Sequence, residues 1–222
     1  MLFIFSIPLF SQSIKGEVVQ RYLMFSGEGS SLTAKQKEPK IFSYVYSKKK
    51  SLQKLISKDK SSIETIFKDY NGAILPTENT LISESEQNFY KDFENDIYKL
   101  VSTTNGVDLS IKDKVKVFNW NLSDEIKMIN NYKCKKATTT NEISGMKVPI
   151  VAWYYEDIAI NDGPIYFNGL PGFIMQIEVG NFSTSTFEKL TFIKENIEIE
   201  EPKNAAIDIT FEQYYMSMQK GN

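Results

Sequence analysis

Short runs of β-branched and aromatic residues, separated by Gly, Asn and Pro, dominate the hydrophobic pattern of this chain. Runs of this kind are typical of β-strands, and alternation of apolar and polar residues indicates a strand with one buried face. The pattern predicts strands within 16–25, 41–46, 80–85, 88–93, 96–102, 114–120, 132–140, 148–158, 173–179 and 185–194. The alternation is clearest over 114–120 (KVKVFNW), whereas the polar stretch 121–131 predicts a connection between strands.

Two stretches follow a helical rather than a strand pattern. The polar stretch 48–70 carries apolar residues at helix-like spacing, which predicts a loosely helical or flexible insertion. Near the C-terminus, Thr210 followed by Gln213 has the spacing of a capping box, which predicts the start of a short helix.

No internal repeat divides the chain, and 222 residues suit one domain with a sizeable core. We therefore predict a single domain over 13–222 with a mainly β fold and a minor α component. Because Gly and Pro corners separate the aromatic strands, we expect a single curved antiparallel sheet, open or half-barrel, with a few short helices.

The N-terminus is an apolar run from Met1 to Phe10, followed by Ser11 and Gln12. Such a run is too short to cross a bilayer as a helix but suits the apolar region of a signal peptide. We predict a signal peptide over 1–12, truncated at its start because the usual basic region is missing; a buried first strand is the alternative. The expected location is periplasmic, outer-membrane-associated or secreted, with no transmembrane span after signal removal.

Composition excludes several classes of chemistry. The net charge is −2 and Arg21 is the only arginine, so the sequence does not predict nucleic-acid binding. The chain contains no histidine, which excludes Ser-His-Asp catalysis and His-ligated zinc within it. The single cysteine, Cys134, excludes an internal disulfide and a thiolate metal cluster. We predict no cofactor and no metal site.

Two sets of reactive side chains leave alternatives open. Cys134 is expected to be a buried, inert thiol, and the alternative is mixed-disulfide or thiolate chemistry, or dimerisation, assisted by neighbouring lysines. Glu156, Asp157 and Asp162 form an acidic set that could serve acid/base chemistry or bind calcium. Asp162 precedes Gly-Pro, however, so a turn former is the simpler interpretation.

An ordered set of motifs lies within residues 119–179. Its members are Trp120, then Tyr132, Cys134 and Ala137 in YKCKKA, Trp153 and Tyr154 in AWYYEDI, Gly163 and Pro164 in DGPIYF, and Gly169, Leu170, Pro171, Gly172, Phe173 and Ile174 in GLPGFI. This set resembles the GLPGLI family, with Phe173 in place of leucine. The resemblance implies an exported envelope protein of a Gram-negative bacterium with a β-rich fold. It carries over no catalytic residues, because the family has no established activity.

The GLPGFI motif has two interpretations. Pro171 restricts Leu170 to extended geometry, and the flanking glycines allow a tight bend or a close backbone approach. The motif is therefore expected to be a demanding corner that closes the sheet, and the alternative is a hooked surface for a ligand or partner. The residues of that candidate surface are Trp153, Tyr154, Gly169, Leu170, Pro171, Gly172 and Phe173.

Aromatic side chains near the motif could line a pocket or fill the core. Alternation places Trp153 and Tyr155 on one face of their strand and Tyr154 on the other, so they cannot all line one cavity. Trp120 and Trp153 are expected in the core, because burying each such side chain is strongly favourable.

Three functional hypotheses follow from these observations. The first is a non-enzymatic binding or interaction module for an apolar small molecule or another envelope protein, which predicts an apolar pocket or patch. The second is a structural assembly subunit held by strand edges, which predicts a long unpaired edge. The third is an enzyme that depends on carboxylates or on Cys134, which predicts an exposed cleft with perturbed pKa values.

Overall fold

A computed structural model of the protein describes residues 13–23, 37–57, 63–70, 73–81, 85–104, 106–143 and 146–220. The predicted signal peptide over 1–12 lies outside these residues. In chain order, the described strands are β1 (Ser13–Tyr22), β2 (Lys40–Ser47), β3 (Lys50–Leu55), β4 (Ile63–Tyr70), β5 (Ala73–Leu81), β6 (Glu86–Asp92), β7 (Ile97–Thr104), β8 (Val107–Asp113), β9 (Asn121–Ile129), β10 (Tyr132–Ile143), β11 (Met146–Tyr155), β12 (Phe173–Val179), β13 (Ser183–Ile193) and β14 (Asp208–Ile209). The helix α1 (Phe211–Lys220) follows the last strand.

One open sheet of 12 strands forms the body of the fold, in the order β14-β8-β7-β6-β3-β2-β1-β13-β12-β11-β10-β9. Neighbouring strands are antiparallel, apart from the short parallel pair β14–β8. Strands β4 and β5 form a separate antiparallel pair. The predicted mainly β fold with an open antiparallel sheet is confirmed. The described residues contain one α-helix rather than the few short helices that we expected.

Aromatic residues fill the core of this sheet. Tyr44 packs edge to face against Phe173 and Phe187, whose own rings are tilted to each other, with all ring centroids 4.7–5.7 Å apart. A second cluster contains Tyr154 and Leu170, both buried. Each aromatic side chain removes about 150–250 Å² from water, so these contacts are a large part of the folding free energy.

The strand predicted at 114–120 and the connection predicted at 121–131 were both wrong, because the structure shows the reverse arrangement. Residues 114–120 are not a strand, although their alternation is the clearest in the chain, whereas Asn121–Ile129 is the edge strand β9. In 114–120 the Val115 N–H donates to Asp96 and the Lys116 carbonyl accepts from Asn168, so side chains replace ladder partners. Strand β9 is polar because an edge strand meets solvent and is protected by charges.

The prediction of a helical or flexible insertion over 48–70 was also wrong where the structure describes that stretch. Lys48 and Lys49 form a tight turn with positive φ, and strands β3 and β4 follow it. The buried positions of β3 are occupied by Ser51 and Gln53. Polar residues at buried positions hide the alternation that identifies a strand.

The predicted capping box is confirmed at the start of α1. The Gln213 N–H donates to the Thr210 hydroxyl oxygen (3.2 Å), and the Thr210 N–H donates to the Gln213 side-chain oxygen (2.8 Å). These two bonds satisfy donors that a helix start leaves open. Local sequence therefore sets where this helix begins.

Candidate functional site

The segment 158–172, which we call the hook, connects β11 to β12 without forming a strand of its own. It is closed by backbone bonds: the Gly169 N–H donates to the Asn161 carbonyl (3.1 Å), and the Ile174 N–H donates to the Asp162 carbonyl (2.9 Å). Asp162 and Asn168 also form an isolated antiparallel bridge. The hook is therefore a closed loop rather than an open connection.

A buried ion pair between Asp162 and Lys91 of β6 fixes the hook on the sheet. Both side chains are almost fully buried. The Asp162 carboxylate also accepts hydrogen bonds from the Tyr44 hydroxyl (2.7 Å) and from the Gly163 N–H (2.7 Å). The Lys91 ammonium donates to the Gly163 carbonyl (2.7 Å). Asp162 is thus more than the predicted turn former, because it joins the hook to two strands of the sheet.

Burial and this ion pair shift the pKa values of two groups in the network. Loss of water lowers the pKa of Lys91, and the Asp162 carboxylate opposes that shift. Burial, together with the neighbouring Asp162 charge, raises the pKa of Tyr44 well above its ordinary value. Because paired and hydrogen-bonded charges are tolerated in a core, this network serves to position the hook.

The GLPGFI corner is held by close backbone contacts. Gly172 has φ +149°, and a Cβ added there would lie 2.5 Å from the Tyr155 carbonyl oxygen. A Cβ on Gly163 would lie 2.6 Å from the Ile174 Cβ. Both distances are shorter than real Cβ contacts, so glycine is required for the hook to pack against β11 and β12.

Burial limits the candidate ligand or partner surface of the motif. Tyr154, Leu170, Gly172 and Phe173 are buried and cannot face a partner. Trp153 is partly buried, and Gly169 and Pro171 are exposed. A partner surface formed by Trp153, Gly169 and Pro171 stays a prediction.

The two tryptophans, expected in the core, are partly buried and pack against its two clusters, each with its indole nitrogen satisfied. The Trp120 N–H donates to the Asn168 carbonyl (2.8 Å), and its ring packs against the cluster of Tyr154 and Leu170. The Trp153 N–H donates to Glu178 (3.1 Å), and the Lys127 ammonium lies 5.1 Å from the Trp153 ring centroid.

Cys134 is fully buried, and burial raises the pKa of its thiol to about 11. A thiol of this kind is almost entirely protonated at neutral pH, as the inert interpretation expects. Lys127 lies near enough to lower the pKa slightly, but burial dominates. The described part of the chain thus gives thiolate chemistry at Cys134 no support.

The acidic set of the hook region is dispersed in the structure. Asp162 is buried, whereas Glu156 and Asp157 are exposed. Glu156 pairs with Lys135 (2.8 Å), and Asp157 accepts a hydrogen bond from the Tyr155 hydroxyl (2.7 Å). Among the described residues, no group of three or more acidic or cysteine side chains could hold a metal ion.

The outer end of the hook is a strained turn. The Phe167 N–H donates to the Pro164 carbonyl (3.1 Å), and Ile165 has φ +60°. A β-branched residue seldom adopts this left-handed conformation. The Ile165 N–H donates to the Gln53 side-chain oxygen (3.0 Å), which stabilises the turn. The strain is located next to Tyr166, which is partly buried against the core clusters.

Tyr166 lines a cavity of about 340 Å³, which we call the Tyr166 cavity. The other walls are residues 113–116, residues 141–142, and Phe211 and Tyr215 of α1. Small-molecule sites have volumes of about 300–1,000 Å³. The cavity is therefore large enough for a small ligand.

Three aromatic side chains and five polar or charged ones line this cavity, and Lys116 packs against the lining ring of Tyr166 and the neighbouring ring of Phe118. The rings of Tyr166 and Phe118 are nearly parallel, at 12° and 6.2 Å. The Lys116 ammonium lies over both rings, 5.6 Å and 5.5 Å from their centroids, and donates a hydrogen bond to the Asn141 side-chain oxygen. The Asn141 amide in turn donates to the Tyr166 hydroxyl (3.2 Å).

The pKa values of both polar groups respond to this environment. Burial raises the pKa of Tyr166 to about 12, so its hydroxyl stays neutral. The neighbouring rings remove part of the water around the Lys116 ammonium and lower its pKa. Lys116 as a residue remains exposed, so it keeps enough water to stay charged at neutral pH.

No pattern in the sequence points directly to this cavity. Lys116 was assigned to a strand, Tyr166 lay in the hook without a role, and Asn141 and Tyr215 belonged to no motif. These four residues come from four distant parts of the chain. Only the capping box, which predicted α1, pointed to one wall of the site.

A second cavity, of about 460 Å³, lies between β7, β8 and the C-terminal segment. Its charged side chains pair with one another: Lys99 lies 3.0 Å from Asp208 and 3.1 Å from Glu201, and Lys112 lies 2.9 Å from Glu201. These pairs attach the C-terminal segment to the sheet. Because Lys99 and Lys112 already have carboxylate partners, this cavity is a weaker candidate for a ligand site than the Tyr166 cavity.

Sequence comparison identifies one family of proteins. A family described as "Protein of unknown function (Porph_ging)" matches residues 145–176, a stretch that runs from the start of β11 through the hook into β12. This match covers less than half of the chain and does not confirm the GLPGLI name. No curated protein matches the chain.

Comparison of structures shows the fold alone. Two crystal forms of PNGF-II, in space groups C2 and P21, match with TM-scores of 0.51 and 0.53 at 12% sequence identity. Each match covers 95% of this chain but 33% or 34% of the PNGF-II chain. The protein thus spans about a third of the length of that relative. No helix among the described residues is long and apolar enough to cross a membrane.

Proposed function

We propose that this protein is a non-enzymatic binding module that takes a small, largely apolar molecule in the Tyr166 cavity. The observation that carries the proposal is an aromatic cavity of about 340 Å³ beside the hook. Small-molecule sites combine apolar and aromatic walls with polar groups that orient the ligand. Here three aromatic side chains and Val115 are combined with five polar or charged side chains.

Strain at the cavity supports the same proposal. Ile165 has φ +60° in the turn that presents Tyr166. Strained backbone conformations cost roughly 1–3 kcal/mol and are concentrated at functional sites. The strained conformation of Ile165 is stabilised because its N–H donates to Gln53 and because the ion pair of Asp162 holds the hook on the sheet.

Export to the cell envelope is the second part of the proposal, as for a GLPGLI-type protein of a Gram-negative bacterium. Its support is the apolar run Met1–Phe10 and the ordered motif set from Trp120 to Ile174. Cell fractionation of the natural host should recover the protein outside the cytoplasm and without residues 1–12. Cytoplasmic protein that retains its N-terminus would contradict export without affecting the cavity.

A strand-edge assembly subunit has weaker support. The edge strand β9 exposes Leu122, Ile126 and Met128. Its pairing with β10, however, shifts register between Lys135 and Lys136. A bulge and charged residues on an edge are features that discourage pairing with another strand.

The test of the binding proposal is native mass spectrometry of the protein purified from its own cell envelope without refolding. We expect a retained small molecule that is lost in Tyr215→Ala, because Tyr215 lines the cavity. Tyr214→Ala is the matched control, since this neighbouring tyrosine is not among the residues that line the cavity. A bare protein mass, or one increased only by a partner protein, would contradict the proposal.

A further inference from the structure

We infer that the Tyr166 cavity selects a planar apolar molecule carrying one negative charge, such as an aryl carboxylate, and that Lys116 pairs with that charge. This inference rests on the proposed function and adds the chemical class of the ligand. It depends on two features of the described residues: the charge environment of Lys116 and the arrangement of rings around it.

Lys116 is a cation without an anionic partner in the described part of the chain. Its ammonium contacts an amide oxygen of Asn141 and two ring faces, and no described carboxylate lies within ion-pair distance of it. The two buried lysines Lys91 and Lys99, by contrast, pair with carboxylates. A partly dehydrated cation beside an open cavity favours an anion in that cavity.

The acidic side chains of the cavity limit the charge of the ligand. Asp113 is already engaged, because its carboxylate accepts hydrogen bonds from the N–H groups of Lys114 and Phe211. Glu142 also lines the cavity. With two lysines and two carboxylates in the walls, a single negative charge is favoured over a dianion such as a phosphate monoester. A cationic ligand is disfavoured because Lys116 already covers the Tyr166 ring.

The rings favour a flat molecule. Tyr98, Phe211 and Tyr215 form a stack with interplanar angles of 21° and 19°, running from the core to the cavity. Tyr98 is buried, whereas Tyr215 is 42% exposed, so the stack ends on an accessible ring. A planar ligand that continues this stack gains offset-stacking contacts and lies beside Lys116.

The experiment compares two probes of the same shape, 2-naphthoate and 2-naphthamide, by isothermal titration calorimetry on the full chain. We expect the wild type to bind 2-naphthoate at least about tenfold more tightly than 2-naphthamide, since a charge-assisted bond is worth about 1.4 kcal/mol or more. In Lys116→Met the two affinities should become equal. Lys133→Met is the matched control, since this exposed lysine of β10 lies outside the cavity, and it should keep the preference.

A second variant tests the inference without removing the lysine. Asn141→Asp places a carboxylate where Lys116 now contacts an amide oxygen. The internal ion pair should remove the preference for 2-naphthoate over 2-naphthamide. This variant keeps the test valid if Lys116→Met does not fold.

The outcomes separate the inference from the proposed function. Equal affinities of the wild type for the two probes, or an unchanged preference in Lys116→Met and Asn141→Asp, would overturn the anionic class. Binding of both probes that is lost in Tyr215→Ala would then still support the cavity. Absence of binding of either probe at millimolar concentration would overturn both.

Discussion

Lys91 and Lys116 each lose water to their surroundings, and burial lowers the pKa of both. Lys91 lies in the core, paired with Asp162 and bonded to the Gly163 carbonyl. Lys116 lies at the mouth of a cavity, over two aromatic rings, with one amide oxygen as its hydrogen-bond acceptor. A lowered lysine pKa therefore arises in two different environments, a buried ion pair and the wall of a cavity.

The comparison separates a structural charge from a candidate functional one. A buried charge with a carboxylate partner is compensated within the protein, so its removal damages the fold. A charge that faces a cavity and lacks such a partner can be compensated by a ligand. Perturbed pKa values alone do not distinguish these roles; the position of the partner does.

The largest expected effect is on the buried pair. Asp162→Asn should lower the free energy of unfolding by about 3–5 kcal/mol, because Lys91 is left buried without its counter-charge. Urea unfolding measures this change. Glu156→Gln is the control: it breaks an ion pair of 2.8 Å whose side chains are 39% and 43% exposed. Such an exposed pair should contribute about 1 kcal/mol or less.

A double-mutant cycle tests whether Lys91 and Asp162 stabilise the fold as a pair. If the pair acts as a unit, Lys91→Met combined with Asp162→Asn should cost less than the sum of the single changes by about 1 kcal/mol or more. Additive costs would show that Lys91 and Asp162 contribute independently, and would remove the basis for treating Lys91 as a compensated charge.

The corner of the hook should show the next largest effect. Gly172→Ala places a Cβ 2.5 Å from the Tyr155 carbonyl oxygen at a positive φ, so we expect a loss of roughly 2–4 kcal/mol in unfolding free energy. Gly106→Ala is the matched control, since Gly106 has φ +75° but no atom within 4 Å of the added Cβ. Its cost should be about 1–2 kcal/mol. Equal losses of unfolding free energy in the two variants would contradict the close contact between Gly172 and Tyr155.

A smaller effect is expected in the wall of the cavity. Thr210→Ala removes the cap of α1 and should cost about 1 kcal/mol, mainly as fraying of the helix. Hydrogen exchange should be faster over 211–214 and unchanged in β12. Ser217→Ala is the control, because its hydroxyl donates to the Tyr214 carbonyl within the helix and caps nothing. Faster exchange in β12 would mean that α1 is coupled to the hook.

The smallest effect should come from Lys116→Met, which is expected to change the unfolding free energy by about 0.5 kcal/mol or less. The sign of this change in unfolding free energy depends on pH. Because the folded-state pKa of Lys116 is lowered from 10.5, the folded state binds fewer protons than the unfolded state as pH approaches 10.5. Wild-type stability relative to the variant should therefore rise with pH in that range. A large loss at pH 7 would show that Lys116 is structural.

Local patterns predicted what depends on a few neighbouring residues. The capping box of Thr210 and Gln213 formed as expected, and a close contact with Tyr155 requires glycine at Gly172 of GLPGFI. The hydrophobic pattern predicted the wrong structure where pairing with another strand decided which residues form a strand. Residues 114–120 alternate like a strand but pack Phe118 against the hook, whereas the polar stretch from Asn121 gains a partner in β10.

The sequence by itself determined a mainly β protein, the absence of histidine chemistry, a single cysteine and the capping box that begins α1. These properties follow from composition and from interactions within a few residues. Tertiary structure alone decided that Asp162 would be paired with Lys91 and that Lys116 would meet Asn141 and Tyr166. The reason is physical: the effect of a charge depends on its water and its partner, and the fold brings both from distant parts of the chain.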